Sequence, residues 1–344
     1  MAKAKMKLAE ILKGCTPGKI QSVGVMQVIP LVSEMSDESF VSPNQSAKVS
    51  TSGYGTLVFK NEQKETMIIP PQAGYVVKQS AQDHALPHVG VVEGKKTASF
   101  DNAMCIQQSQ GGYVASGEHN MMILPFPLRE KAHKVRNNRG YDRLWRDIST
   151  LNNRAGVKSS SGAAHLEYFL NSFKEQLDRF VAEFEPVDKQ VGAIILINGR
   201  VVGVERTPSY DYWTSIWSAL IRECYGSLAI IEANDYDNKV PPTRVPLRKA
   251  TSVSDLKAAL KEASDEEYAR VKKIVNDIAD IDMGQKVDNT VSNSSGKVDV
   301  EELSSKRFVG QIVRKGETVV YASLVATKEW RDNEEWNEAE SFEM

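Results

Sequence analysis

Disulfides, membrane spans and a dominant charge are all missing from this 344-residue chain. Its three cysteines, Cys15, Cys105 and Cys224, are far apart, odd in number and without CxxC spacing, which excludes a disulfide framework and fits a reducing compartment, with the cytoplasm expected. The longest apolar run, VGAIILI from Val191 to Ile197, is too short to cross a bilayer. The opening MAKAKMKLAEILKGC carries lysines, but Glu10 and Lys13 interrupt what would be a signal peptide's hydrophobic region. Lysine plus arginine (43) nearly balance aspartate plus glutamate (45), so any attraction to nucleic acid or anionic lipid must be local. No GxxxxGK[ST] and no GxGxxG between a strand and a helix are present, which removes the Walker and Rossmann readings. There is no internal repeat, and no cofactor is implied.

What is present is a substantial apolar fraction, 41%, arranged in two styles. From Val23 to about Leu128 short apolar segments alternate with turn residues: VGVMQVIPLV, GTLVFKN, ETMIIPP, GYVVKQ, HVGVVEG, AMCIQQ, GYVAS and NMMILPF. Their spacing predicts a β-rich sandwich or partly open barrel, with the prolines at segment ends. Before it, Met6, Leu8, Ile11 and Leu12 predict a short helix with Gly14 as its C-cap. After it come helices over 141–151, stopped by Asn152 and Asn153, and over 163–184, capped by Ser160 or Ser161 and packed on the hairpin that follows. That hairpin, AIILINGRVVGVER, has Asn198-Gly199 between two apolar strands, the signal for a type I′ turn. Thr207-Pro208 is expected to launch the next helix, and SLAIIEA to form a strand. A loop over 235–249, two helices starting at Ser252 and Ser264 with capping-box spacing, a mobile linker over 284–297, a hairpin turning near Lys315-Gly316 and an acidic tail complete the chain. The fold class expected is α+β: the β-rich part followed by helices packed on a hairpin-containing sheet. The divisions are 1–20, 21–130, 131–234, 235–305, 306–327 and 328–344.

Three constellations carry chemical possibilities. Cys105, in CIQQSQGGYV, would need a base and a lowered pKa to act as a nucleophile, with His84, His88, His119 and His133 in or beside the same half. The competing reading is a core strand running into a glycine turn at Gly111-Gly112. DHALPH places His84 and His88 four apart, but Pro87 opposes the helix that would align them. With Asp83, Glu118 and His119 nearby this is unspecific, and no metal site is assigned. The third is REKAHKVRNNRGYDRLWRD, where Lys131, Lys134, Arg136, Arg139, Arg143 and Arg146 face one acid between Lys131 and Arg146, Asp142. Arginines beside Tyr141 and Trp145 are materials for phosphate pairing and base stacking, so Lys134, Arg136, Arg139, Tyr141 and Arg143 are the candidate ligand-binding residues.

The segment VDKQVGAIILINGRVVGVERTPSYDYWTSIWSALIRECYGSLAI, Val187 to Ile230, resembles the prokaryotic family named for its association with ADP-ribosylglycohydrolase and rhodanese-phosphatase proteins. The resemblance extends to the Pro-Leu of QVIPLV, the Lys-Gln of GYVVKQ, a cysteine at the place of Cys105, the helix YDRLWRDI and the strand pair GQIVRKGETVVYASL. It implies a prokaryotic or phage source, a setting in NAD and ADP-ribose metabolism, and an insertion over 235–305. It also implies a Val-Glu pair after the cysteine and then Gly-Arg-Trp, where this chain has Ile106-Gln107 and Gly112-Tyr113. An amide cannot serve as a titrating base. The function expected is therefore a non-catalytic binding or interaction module engaging a phosphate-containing ligand, RNA or other nucleic acid, or an acidic protein partner. The alternatives are a hydrolase of NAD-derived or nucleotide substrates using Cys105 or a histidine, and a structural or assembly protein.

Overall fold

The Asn198-Gly199 turn needs two consecutive residues at positive φ, and both adopt it, at 51° and 77°. It joins Gln190–Ile197 to Arg200–Arg206, and these two strands are the middle of the molecule. In this computed structural model, which describes residues 6–77, 83–108, 119–157, 164–235, 251–294 and 296–332, they belong to a curled ten-stranded antiparallel sheet. From one edge the order is Met6–Lys7, Asp282–Asn293, Gly296–Ser304, Phe308–Lys315, Thr318–Ala326, Arg200–Arg206, Gln190–Ile197, Met26–Val32 and Thr16–Pro17, with Gln21–Val23 also on Met26–Val32. The strand Gln190–Ile197 is buried throughout because both faces of the sheet are covered. Ala193, Ile195 and Ile197 pack with the Tyr210–Ser218 helix, while Ile194 and Leu196 pack with Ile11, Ile274 and Ile278 on the other side.

Three smaller sheets from the first half complete the β structure. They are Gly90–Val92/Thr66–Ile69/Phe40–Val41, Thr97–Phe100/Thr56–Asn61/Ala47–Gly53 and Met104–Cys105/His84–Ala85/Ala73–Val77/His119–Ile123. The molecule is thus mixed α+β with its first strands built into the principal sheet. Pro30 lies inside Met26–Val32 rather than at its end. Its missing N–H falls where the flanking chain crosses between Thr16–Pro17 and Gln21–Val23, so no ladder bond is lost.

Several helices differ from expectation for identifiable reasons. Phe126–Val135, expected as strand end and basic loop, is a helix started by prolines at 125 and 127. The helix starting near 141 instead spans Trp145–Arg154, and Asn152 does not stop it; its amide donates to the His165 carbonyl at 2.9 Å. The span 163–184 is two helices, Leu166–Ser172 and Lys174–Glu183, broken at Phe173 (φ −112°, ψ 18°). The second packs not on the hairpin but against Gly226, where Leu177 and Phe180 close over the missing side chain. Ser209, not Thr207, caps Tyr210–Ser218, accepting from the Tyr212 N–H, because the Thr207 hydroxyl is engaged with the Val191 carbonyl. That helix continues through a π-helical segment, Ala219–Tyr225, into Gly226–Asp235, so SLAIIEA is helical. Its buried residues lack the one-sided pattern that separates helix from strand. Val253–Ala279 is one helix opened by the Ser252–Asp255 capping box, with Ser264 in its interior. The linker expected at 284–297 is largely the strand Asp282–Asn293, mostly polar and exposed beyond the buried Met283 and paired with Gly296–Ser304. The expected loop, beyond Asp235, and the acidic tail beyond Asp332 lie outside the described residues, as do Ser160, Ser161 and Gly111-Gly112; the start of the tail is a short helix, Lys328–Arg331.

A buried ion pair ties these parts together. Arg129 Nη1 donates to Glu205 Oε1 at 2.9 Å, with side chains 1% and 2% exposed. Arg129 also donates from Nη2 to Ser323 Oγ at 2.6 Å and from Nε to Gln72 Oε1 at 3.2 Å, and the Tyr225 hydroxyl donates to Glu205 Oε1 at 2.6 Å. Gly203 makes this reach available, since a Cβ there would lie 2.0 Å from the Tyr225 hydroxyl. Replacing Arg129 with Ala strands the Glu205 carboxylate and should lower unfolding free energy by about 3–5 kcal/mol. Gly203→Ala should cost about 1–3 kcal/mol through overpacking. Urea unfolding monitored by tryptophan fluorescence measures both, and a cost below about 0.5 kcal/mol in either would contradict the packing described.

Candidate functional site

Cys105, His84, Tyr75 and Met121 lie directly opposite one another across the four-stranded sheet and so share one face. The alternate row, Met104, Ala85, Gly74 and Met122, faces the core beneath Phe126–Val135, Trp145–Arg154 and Leu166–Ser172. Sequence reasoning offered His84 as one of four candidate bases for Cys105; pairing of strands twenty residues apart makes these two neighbours. Their states are unsuited to nucleophilic chemistry. Cys105 is fully buried and its thiol donates to the Gln107 carbonyl at 3.0 Å. Burial pushes its pKa up, against weaker opposing influences from the Gln107 backbone and Trp145 indole. His84 Nε2 accepts the Gly55 N–H at 3.1 Å, so in the neutral ring the proton is on Nδ1.

Gln107 has a structural task. Its amide donates to Glu167 Oε2 at 2.9 Å, its backbone bridges His165, and Leu166 N–H donates to the Ile106 carbonyl, so this stretch holds the start of Leu166–Ser172. Glu167 is a carboxylate beside Cys105's strand that sequence spacing did not reveal, being 60 residues from Gln107.

The basic stretch divides in two. Lys134 pairs with Glu130 one turn back on its own helix at 2.7 Å and stays exposed, whereas Arg136 pairs with Glu302 and the His133 carbonyl and turns toward the body of the protein. Arg143 bonds the Gly140 and Asn102 carbonyls, pinning the loop before Trp145–Arg154 to the turn before Met104, and burial lowers its pKa. Arg139 and Arg146 are exposed. Tyr141 is held over the Cys105 strand, its carbonyl accepting the Cys105 N–H at 2.6 Å. Its ring stacks on Tyr54, with centroids 5.1 Å apart and planes at 25°, and meets Trp145 edge-on at 5.8 Å. The turn carrying Tyr54 fits because Gly55, at φ +74°, has Tyr141 Cβ only 3.1 Å from where its own Cβ would stand. Tyr54, half exposed, was not flagged by the sequence because no local pattern links it to Tyr141.

The histidines separate into two places: His84 lies beside Cys105, whereas His88 and His133 are neighbours near Glu302. His88 lies 3.7 Å from Asp288 and against Gln311, and His133 lies 3.8 Å from Glu302. His119 is in a strand paired with Val77, and Glu118 is outside the described residues. Among the described residues no group of three His, Cys, Asp or Glu side chains is arranged to hold a metal. No described helix is long and apolar enough to cross a membrane. An open cavity of about 410 Å³ lies elsewhere, lined by Asp277, Asp280, Ile281, Asp282, Ser305, Lys306 and Arg307.

The match to known families decides the affiliation. Residues 14–325 match the model of the ARG and Rhodanese-Phosphatase-superfamily-associated Protein domain. The chain belongs to this family. The family domain therefore includes the Cys105–His84 row, the Tyr54–Tyr141 stack and the strands at 282–304. No curated protein and no solved structure matches the chain.

Two outcomes follow from the site's protonation. Burial, with Arg136 close by, lowers His133 to about 4, Glu302 and Glu130 opposing and His88 adding to the shift. The unfolded chain therefore binds more protons than the folded one between about pH 6.5 and 4. His133 should contribute a loss of stability on the order of 1–3 kcal/mol as pH falls through that window, and His133→Gln should flatten the slope in urea titrations at pH 7 and pH 4.5. In a Cys15→Ser variant, iodoacetamide should label the folded protein negligibly at pH 7 and fully in urea, as read by mass spectrometry. Rapid native labelling at Cys105 would show a thiolate that the burial forbids.

Proposed function

We propose that this protein is a non-catalytic binding module whose Tyr54–Tyr141 face engages a phosphate-containing ligand with an aromatic base, of the nucleotide or ADP-ribose class. The observation that carries this reading is the stack itself: two tyrosine rings, one half exposed, held beside a loop with exposed Arg139 and with Arg143 as its brace. Aromatic faces accept bases by stacking and arginine pairs with phosphate. The family's association with ADP-ribosylglycohydrolases supports ADP-ribose as the first ligand to test. Arg136 and Lys134, engaged with Glu302 and Glu130, are secondary to Arg139 in this reading. The hydrolase alternative is disfavoured by a buried thiol of raised pKa beside an imidazole whose Nε2 already accepts a backbone N–H.

Calorimetric titration with ADP-ribose, ADP and a single-stranded RNA tests the proposal. Tyr54→Ala and Arg139→Ala should each weaken binding about tenfold, base–aromatic stacking being worth about 1–3 kcal/mol, whereas Tyr54→Phe should retain it. Affinity should fall as salt rises. Absence of binding to all three, or affinity unchanged in Tyr54→Ala/Arg139→Ala, refutes the reading. Turnover of ADP-ribose conjugates that is lost in Cys105→Ala would replace it with the hydrolase.

A further inference from the structure

The turn over 305–307 and the end of the helix Val253–Ala279 enclose an open cavity of about 410 Å³, the size of a small-molecule pocket. Beside it lies an apolar slot of about 10 Å³, room for about one methyl-sized group, lined by Val201, Ile274, Ile278 and Phe308. Asp277, Ile281 and Arg307 line both spaces, so an acid and a base flank the place where cavity passes into slot. The local hydrogen bonds hold this wall in position. Ser305 Oγ accepts the N–H groups of Arg307 and Phe308 at 3.1 and 2.9 Å, which fixes the turn. Thr327 N–H donates to the Arg307 carbonyl at 2.9 Å, and Thr327 also caps Lys328–Arg331, so Trp330 is carried to the same turn. The Arg307 guanidinium lies 4.0 Å from the centroid of the Trp330 ring and, among the described residues, forms no ion pair.

The opposite wall is built for a cation. Val253–Ala279 has no basic residue in its last turn, and its negative end carries Asp277, Asp280 and Asp282 instead. A helix C-terminus is stabilised by positive charge, so three carboxylates there leave an electrostatic demand that the fold meets only in part. Lys7 pairs with Asp280 at 3.1 Å, whereas Asp277, among the described residues, has no ion pair. Neither a simple cation nor a simple anion satisfies both Asp277 and Arg307, and neither uses the slot between them. We infer that this cavity binds a free α-amino acid with a small aliphatic side chain. Its ammonium sits on Asp277, its carboxylate on Arg307 and its side chain in the slot against Ile274, Ile278 and Phe308. The site uses none of the residues of the Tyr54–Tyr141 face and does not depend on the ligand proposed there.

Titrations of the full chain followed by ligand-observed NMR test this, with L-valine as the probe. Two half-ligands serve as controls: isobutylamine, which lacks the carboxylate, and isovalerate, which lacks the amine. L-valine should bind, and each half-ligand should bind at least about tenfold more weakly, because each forfeits one charge-assisted pair. L-phenylalanine, whose ring exceeds the slot, should also bind more weakly than L-valine. Asp277→Asn should weaken L-valine about tenfold and leave isovalerate unchanged, whereas Arg307→Gln should weaken L-valine and isovalerate and leave isobutylamine unchanged. A general loss of structure would affect all the probes alike, so the crossed pattern identifies the two contacts. Should Arg307→Gln fail to fold, Asp277→Asn, a change at an exposed residue, decides alone. No binding of L-valine, a half-ligand that binds as tightly as L-valine, or an L-valine affinity unchanged in Asp277→Asn would each overturn the inference.

Discussion

The buried pair of Arg129 and Glu205 is the constraint on which the other parts depend. Two ionised groups at 1% and 2% exposure are tolerable only if nearly every donor and acceptor around them is used. Ser323, Gln72 and Tyr225 supply those partners, and each comes from a different element. Satisfying one guanidinium and one carboxylate therefore sets the positions of Phe126–Val135, two central strands, the loop at Gln72 and the π-helical segment. The π register presents Cys224 and Tyr225 in succession toward the pair, where burial pushes the Cys224 thiol up to about 12. Gly203 is the matching concession in the strand, leaving space that the Tyr225 ring occupies.

The same helix that delivers Arg129 inward ends in the basic stretch, so one feature of the fold sorts the cations. Arg129 goes to the core, Lys134 and Arg136 to Glu130 and Glu302, and only beyond the helix do Arg139 and Arg143 reach the loop beneath Tyr141. Cys105 and His84 lie under that loop with their polar atoms already engaged by the Gln107 carbonyl and Gly55 N–H. The groups with chemical potential are thus used to support a surface, and the surface carries the aromatic rings.

Features legible in the sequence were those whose partners lie within a few residues. The Asn198-Gly199 turn, the Ser252–Asp255 capping box and the turn at Gly316 are local arrangements, and each is present in the structure. Misreadings arose where local pattern and tertiary environment part. Ser227–Ile231 of SLAIIEA are buried without interruption, so no period distinguishes helix from strand. Beyond Met283, Asp282–Asn293 lacks a regular apolar alternation, and its ladder to Gly296–Ser304 with cross-strand pairs such as Thr290 with Asp299 holds it instead. Phe173 breaks a run of apolar residues that spacing alone joins into one helix. Of the candidate site, Tyr141, Arg139, Arg143 and Cys105 were visible as residue types; Tyr54 and Glu167 were not, since what makes them relevant is contact across long chain separations.

By itself the sequence determined the composition of the core, the α+β class, the central hairpin and the family affiliation, all of which follow from local propensity or from contiguous segments. Tertiary structure alone decided which charges are spent inside and which remain outside. Arg129 and Lys134 stand five positions apart in one basic run, yet the first is buried against Glu205, 76 residues away, and the second is exposed. That outcome turns on the dielectric and hydrogen-bond partners each side chain meets, and those are assembled only when distant segments pack.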